Sequence, residues 1–289
     1  MLRRIVSRLF LRPAVRCNHA LRNPVEEFRN CQFVTNQPNP FHTEKRVVSG
    51  GDGMTDITVI TRPAIHGDHC TIGIMIPSGS RNGIDMPSGN SLYPSDYCHA
   101  CTHLGITHLD EKLAFGITTD SFSSRAQVRQ FLDGNGGICD SQTDQETTIF
   151  ALSIRRDAID EAVMLLTETA FRPNITVESV AEAIQNVEND IRYLKYEKIR
   201  DKEIMELACQ AGFRANTIGL PRMMPDELIQ KCNNPDEIKN WADHLLRHRR
   251  DNYLNQPPAF IGIGVKTDEL EAAVNKYKHL IHNPCWVSP

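Results

Sequence analysis

Short strand-like runs separated by long helical segments constrain the fold of this chain more than any other feature. Four runs are rich in Ile, Val, Thr and Phe and are bounded by Gly, Pro or polar clusters, which is typical of β-strands. They are ITVITRP (57–63), TIGIMIPSGSR (71–81), TTIFALSI (147–154) and PAFIGIGV (258–265). Because only a short segment containing HGDH separates the first two, we predict that they pair as a hairpin.

The segments between these runs carry helix signals. A serine opens the segment 123–137 and two glycines end it, while Pro173 stops an amphipathic segment that starts at 157. Residues 177–213 form a long, highly charged helical stretch. Further helices are predicted over 105–115, 234–253 and 268–281. Because the strands occur in separated groups with long helices between them, the pattern favours an α+β fold over a doubly wound parallel sheet.

Composition predicts a soluble protein. Hydrophobic residues make up 40% of the 289 positions, and the longest apolar stretches, such as AFIGIGV, are far shorter than the roughly 20 residues that a membrane span needs. The nine cysteines are mostly isolated and no secretory signal precedes them. This usage favours free thiols in a reducing compartment over a disulfide framework.

The first 25 residues differ from the rest of the chain. They contain six arginines and no acid, and their apolar residues recur at helical spacing. This pattern is typical of a mitochondrial transit peptide, which we expect within residues 1–35 together with a disordered lead-in. The alternative is a basic arm for nucleic acid or a membrane surface. Removal of these 25 residues would take away six positive charges and shift the formal charge from −4 to −10, which suits basic partners and not nucleic acid.

The stretch YCHACTHLGITHLDEK (97–112) concentrates residues that can bind metal. In one interpretation, four side chains would close a structural zinc site: Cys98, Cys101, His103 and His108. The C-x2-C pair is typical of zinc, but the second pair follows without the usual intervening loop.

In a second interpretation, His108 and Glu111 belong to the zinc peptidase motif H-x-x-E-H, in which two histidines bind the metal and the glutamate activates a water. Here Lys112 occupies the position of the second histidine. An ammonium group repels Zn2+ and has no lone pair to donate. We therefore expect no catalytic metal, and no cofactor, in this chain.

Several longer motifs give these residues a context. They are TIGI, IPSGSRN, GITHLDEKLAF, FLDGNGGICDSQTDQETTIFALSI, FRPNIT and FRANTIGLPRMMPDEL. From about residue 45 to 282, the chain resembles the pitrilysin-like (inverzincin) metallopeptidases, and within them the alpha-type subunits of mitochondrial processing peptidases. The resemblance implies an α+β domain with a mixed, largely antiparallel sheet packed by helices on one face. It covers one such domain, followed by a tail at 283–289 and without a second domain.

The resemblance also implies a function. In that family, beta-type subunits carry zinc, an intact motif and a downstream Glu ligand, and they cleave the substrate. Alpha-type subunits lack the metal site and help to hold the presequence. We therefore expect a non-catalytic, substrate-recognition subunit in the mitochondrial matrix, in a heterodimer with a catalytic beta subunit and acting on basic presequences.

Two parts of the sequence bear on this expectation. Residues 90–104 interrupt the family pattern as an insertion, so most of the Cys/His stretch is added sequence. The helical region 177–206 is acidic, and we expect it to attract presequences through Glu178, Glu182, Glu188 and Asp190. Of these, Glu188 and Asp190 both lie near the position of the family's downstream ligand, and the choice between them stays open.

Three alternatives stay open as well. Related subunits without working metal sites form the structural core of ubiquinol–cytochrome c reductase, which would locate the chain at the inner membrane beside a respiratory complex. The chain could also be a shortened isoform without peptidase-related activity. In the third alternative, residues 97–108 form a small zinc-binding module with its own partner.

Overall fold

A six-stranded mixed sheet organises the part of the chain that the structure describes. The computed structural model describes residues 42–51, 54–63, 67–83, 104–197, 201–213, 217–232, 234–254 and 256–282. The strands are β1 (Glu44–Val48), β2 (Ile57–Arg62), β3 (His69–Ile76), β4 (Ile138–Thr143), β5 (Thr148–Arg155) and β6 (Ala259–Ile263). Their spatial order is β1-β2-β6-β3-β5-β4. Only the β2–β6 pairing is parallel, so the predicted α+β class with a largely antiparallel sheet is confirmed.

Helices pack against one face of this sheet. Their bounds are α1 (Ile106–Leu113), α2 (Arg125–Gly134), α3 (Ile159–Phe171), α4 (Val177–Glu197), α5 (Asp201–Phe213), α6 (Asp226–Lys231), α7 (Pro235–Tyr253) and α8 (Thr267–His282). Burial alternates along β5, where Phe150, Leu152 and Ile154 are inaccessible and the intervening residues are partly exposed. This alternation shows that α3 and α8 cover one face of the sheet, because side chains of a strand point to its two faces in turn.

The predicted hairpin between the first two strand-like runs is wrong. Strand β6 lies between β2 and β3, parallel to β2 and antiparallel to β3. Both runs are apolar and need a hydrogen-bonded strand on each side. The apolar run 258–265, which contains β6, pairs with both of them. The connecting residues 63–68 are long enough for this, because six extended residues reach about 20 Å whereas two strand spacings are about 10 Å.

Local signals fixed the helix ends as expected. The Ser124 hydroxyl accepts a hydrogen bond from the Gln127 main chain and caps α2. After α2, Gly136 adopts a positive φ of 59° in the turn that leads into β4. The predicted helical stretch 177–213 is described as two helices, α4 and α5. Cys139 lies on β4, and its side chain is half-buried because β4 is the edge strand.

The apolar side chains form two clusters. The larger one joins the sheet to α2, α3 and α8. The second lies between α1, α4, α6 and α7, and it contains Ile106, Leu109 and Leu113 of the motif-bearing helix. Helix α1 is thus held from the side opposite the solvent by three other helices. Within the described residues, no helix is long and apolar enough to cross a membrane.

Three expectations concern residues outside the described part of the chain. They are the transit peptide and lead-in at 1–35, most of the insertion at 90–104, and the tail at 283–289. The cysteine and histidine ligands proposed for a structural zinc site, Cys98, Cys101 and His103, also lie there.

Candidate functional site

The motif-bearing helix α1 begins at a position that only glycine can occupy. Gly105 has a φ of 81°, and a Cβ atom there would collide with the main chain of Met224. The close approach brings the segment before α6 against the first turn of α1. It therefore fixes where Met224 stands relative to His108.

Four polar side chains meet where α1 faces α4: His108, Glu111, Lys112 and Asp190. We call them the motif cluster. The Lys112 ammonium lies 3.1 Å from Glu111 Oε1 and 3.1 Å from Asp190 Oδ2. His108 Nε2 lies 3.1 Å from the same Asp190 oxygen. One cation therefore bridges carboxylates from two helices and offsets part of their negative charge.

The electrostatics of the cluster follow from these contacts. The hydrogen bond from His108 and the charge of Lys112 outweigh burial and hold the pKa of Asp190 well below its usual range. Burial lowers the pKa of Lys112, but the charges and hydrogen bonds of Glu111 and Asp190 reverse this effect and raise it overall. Each partner thus favours the ionised form of the other.

The second ring nitrogen of His108 has a donor as its neighbour. The Met224 main-chain N–H donates to His108 Nδ1 across 3.3 Å. Because Nδ1 accepts, the proton of the neutral ring is assigned to Nε2, which donates to Asp190. The buried imidazole therefore connects α1 to α4 and to the segment before α6.

Glu111 is also tied to the edge strand. Its Oε2 accepts a hydrogen bond of 2.8 Å from the Thr143 main-chain N–H, and its main-chain carbonyl accepts one of 2.8 Å from the Ser141 hydroxyl. Both oxygens of the carboxylate are thus engaged, one by Lys112 and one by β4. The orientation of Glu111 is fixed from two sides.

Two further charged residues next to the cluster were not predicted as site residues. Glu206 on α5 accepts a hydrogen bond of 3.1 Å from the Arg222 main-chain N–H, and burial raises the pKa of its carboxyl. The Arg222 guanidinium donates to the Thr143 carbonyl across 3.3 Å. The sequence offered no spacing signal for this pair, because the two residues come from different elements.

A second charged group lies on the opposite side of α1. Asp110 accepts hydrogen bonds from Arg249 Nε at 2.7 Å and from the Tyr253 hydroxyl at 2.5 Å. Arg249 also donates to the carbonyls of Thr169 and Ala170 at the end of α3. These three side chains, Asp110, Arg249 and Tyr253, are all buried, and we call them the buried triad. Burial and the Asp110 charge raise the pKa of Tyr253 well above its usual value.

The four acids expected to contact substrate have different surroundings. Asp190 belongs to the motif cluster, whereas Glu188 pairs with Arg192 at 2.6 Å on the outer side of α4. Glu182 pairs with Arg125 of α2, and Glu178 is exposed in the first turn of α4. The structure therefore brings only Asp190 to His108. Helical phase does not distinguish the two candidates, because Glu188 and Asp190 flank the buried stripe of α4 on opposite sides.

The residues of the motif cluster do not fit the zinc ion that the family implies. Zinc needs lone pairs from histidine, cysteine or carboxylate ligands, and Lys112 presents an ammonium between the two carboxylates. Among the described residues, no three His, Cys, Asp or Glu side chains are arranged to hold a metal ion. The side chains of the cluster form ion pairs and connect helices, but they do not supply the ligands of a zinc ion that could activate a water.

Comparisons with known proteins agree with these motifs. Residues 100–226 match the family Insulinase (Peptidase family M16). The chain is 32% identical over 222 residues to "Mitochondrial-processing peptidase subunit alpha" of Homo sapiens, covering 77% of this chain and 37% of that protein. The subunit of the same name in Caenorhabditis elegans is 29% identical over 256 residues, covering 88% and 44%.

The extent of these matches limits what they carry over. The chain spans about 37% of the length of the first mammalian relatives, including the one from Pongo abelii, which is also 32% identical. The resemblance noted from the EKLAF, GGICDSQT and NTIGLPR motifs is confirmed. Residues 100–226 therefore match the M16 (insulinase-type) peptidase family, and the chain is similar to the alpha subunits of mitochondrial-processing peptidase over 77% of its length.

Proposed function

We infer that this chain is a non-catalytic, substrate-recognition subunit of a mitochondrial presequence-removing zinc endopeptidase. It pairs with a catalytic beta subunit in the matrix, and that partner supplies the zinc. The single observation that carries the proposal is the Lys112 ammonium, which lies 3.1 Å from the carboxylates of both Glu111 and Asp190. Because this cation pairs with Glu111, the carboxylate does not serve as general base on a metal-bound water.

The similarity to alpha subunits supports the second part of the proposal. Mitochondrial-processing peptidase, by its name, processes proteins in mitochondria and has more than one kind of subunit. Since this chain lacks a donor set for zinc in the motif cluster, a role beside a catalytic subunit fits both observations. The basic substrates would be attracted by the exposed acids of α4, of which Glu178 and Glu182 face solvent.

Cleavage of a basic presequence peptide tests this proposal. The peptide is incubated with the full chain, with a purified catalytic beta subunit, and with both together. We expect cleavage only in the mixture, together with co-elution of the two subunits. Cleavage by the chain alone would overturn the proposal, and co-elution without cleavage would favour the structural-subunit alternative and also overturn it.

The acidic surface has its own test in the same assay. The double variant Glu178→Gln/Glu182→Gln should raise KM for the basic peptide about two- to tenfold with little change in kcat, because removed surface charges weaken encounter and not chemistry. Asp243→Asn, which removes an exposed acid of another helix, α7, is the control. An unchanged KM would show that these acids form only a solvated surface.

A further inference from the structure

We propose that divalent metal is excluded from the motif cluster twice, once by Lys112 and once by the main-chain N–H of Met224. The ion pairs and hydrogen bonds of the cluster instead connect α1, α4 and the segment before α6. The proposal goes beyond the processing role, because it holds whether or not the chain takes part in presequence removal.

The first exclusion is the ammonium itself. Lys112 Nζ makes two contacts of 3.1 Å, to Glu111 Oε1 and to Asp190 Oδ2, and so occupies the space between the acids that would attract a metal ion. A divalent ion entering here would have to displace a cation that is covalently attached. It would also meet a repulsive charge that increases steeply at short distance in a partly desolvated site.

The second exclusion concerns His108, and distance alone would not reveal it. Two zinc ligands at about 2.0–2.1 Å and tetrahedral angles lie roughly 3.3 Å from one another. The separation of 3.1 Å between His108 Nε2 and Asp190 Oδ2 is close to this value, so the two atoms could in principle share a metal. The obstacle lies at the other ring nitrogen.

Zinc at Nε2 requires the lone pair of that nitrogen, so the ring proton must move to Nδ1. At Nδ1 it would face the Met224 N–H, which now donates to this nitrogen across 3.3 Å. Two donors would then point at each other inside a buried site, since His108 is only 4% exposed. Metal-binding histidines normally give this second N–H to an acceptor, and losing such a partner costs about 10- to 100-fold in metal affinity.

The position of Met224 is itself built into the fold. Gly105 at the start of α1 leaves room for the Met224 main chain and for nothing larger than hydrogen. Met224 is buried, so its N–H has little freedom to turn away from the imidazole. The same contacts that exclude metal therefore lock three elements together.

Zinc titration of a set of variants tests the double exclusion. All carry Cys98→Ser and Cys101→Ser, so that the Cys/His stretch does not contribute. The otherwise unchanged chain should bind no zinc, and Lys112→His should bind it weakly. Lys112→His/Met224→Pro, which removes the main-chain N–H, should bind about 10- to 100-fold more tightly than Lys112→His. Lys112→His/Met224→Leu keeps the N–H and should match Lys112→His.

A measurement on the unmutated chain covers the case in which the proline variant does not fold. Long-range 1H–15N NMR correlation of the His108 ring, assigned with His108→Gln, should show the proton on Nε2. The exposed His69 provides the comparison with a solvated ring. A proton on Nδ1, equal zinc affinities for Lys112→His with and without Met224→Pro, or stoichiometric zinc at His108 in the Cys98→Ser/Cys101→Ser chain would each overturn the proposal.

Discussion

Helix α1 carries two charged groups of similar chemistry in opposite environments. The buried triad pairs Asp110 with Arg249, whose side chains are 1% and 0% exposed. In the motif cluster, Lys112 and Asp190 pair at 25% and 33% exposure. A fully desolvated pair depends completely on its partners, whereas a partly hydrated pair can be compensated by water. The motif residues of α1 and the residue that anchors this helix in the core, Asp110, therefore belong to two separate groups of side chains.

Arg249→Met should have the largest effect. Among the described residues, the Tyr253 hydroxyl is then the remaining side-chain partner of the buried Asp110 carboxylate, so we expect a loss of about 3–5 kcal/mol in the free energy of unfolding. Urea unfolding of the full chain measures this loss. The double variant Asp110→Leu/Arg249→Met removes both charges and should recover most of it. A loss below about 1 kcal/mol in the single variant would contradict the view that this pair anchors α1.

Lys112→Met should have a smaller effect. It keeps the volume of the side chain but leaves Glu111 and Asp190 without their shared cation, and water can reach both carboxylates. We expect a loss of about 1–2 kcal/mol in the same unfolding measurement. A loss as large as that of Arg249→Met would break the comparison between the two groups.

The pH dependence of the free energy of unfolding should distinguish the contribution of Asp190 from that of the buried triad. Because the pKa of Asp190 is lowered in the folded chain, its contribution is present above its unfolded pKa of about 3.9 and is lost as the pH falls further. Lys112 behaves in the opposite sense, and its contribution is lost above about pH 10.4. Asp190→Asn should flatten the acid side of the stability curve. An unchanged acid side would show that Asp190 is not stabilised as a carboxylate by His108 and Lys112.

Glu188→Gln should have the smallest effect, although it lies only two residues from Asp190. Its ion pair with Arg192 is exposed, so we expect a change of less than about 0.5 kcal/mol and an unchanged acid limb. The comparison of Asp190→Asn with Glu188→Gln is therefore a matched test on one helix. Equal effects of the two variants would mean that the position facing His108 carries no special weight.

Much of the local structure was predictable because local signals decide it. The Ser124 cap, the glycine turn at 136–137, the stop at Pro173 and the apolar strand runs each act within a few residues. Strand neighbours were not predictable in this way. Two apolar strands close in sequence satisfy the hairpin pattern, but the position of β6 between them depends on pairing with a run almost 200 residues away.

The candidate site shows the same limit. The motif residues His108, Glu111 and Lys112 were recognisable from their spacing, but helical phase places Glu188 and Asp190 on opposite flanks of the buried stripe of α4 and does not choose between them. Arg249 also carried a signal that was missed, since it continues the buried stripe of α7 through Ala242, Leu245 and Tyr253. The Met224 N–H left no trace in the sequence, because a main-chain donor is placed by the fold and not by its side chain.

An asymmetric substitution in the reconstituted heterodimer tests the central claim most directly. Glu111→Gln in this chain is compared with the same change at the motif glutamate of the catalytic partner, using cleavage of a basic presequence peptide. We predict that Glu111→Gln changes the cleavage rate by about twofold or less, whereas the change in the partner lowers it by about 100-fold or more, because only there does the glutamate act as general base. Loss of cleavage on Glu111→Gln, with the partner intact and the heterodimer still formed, would contradict the account.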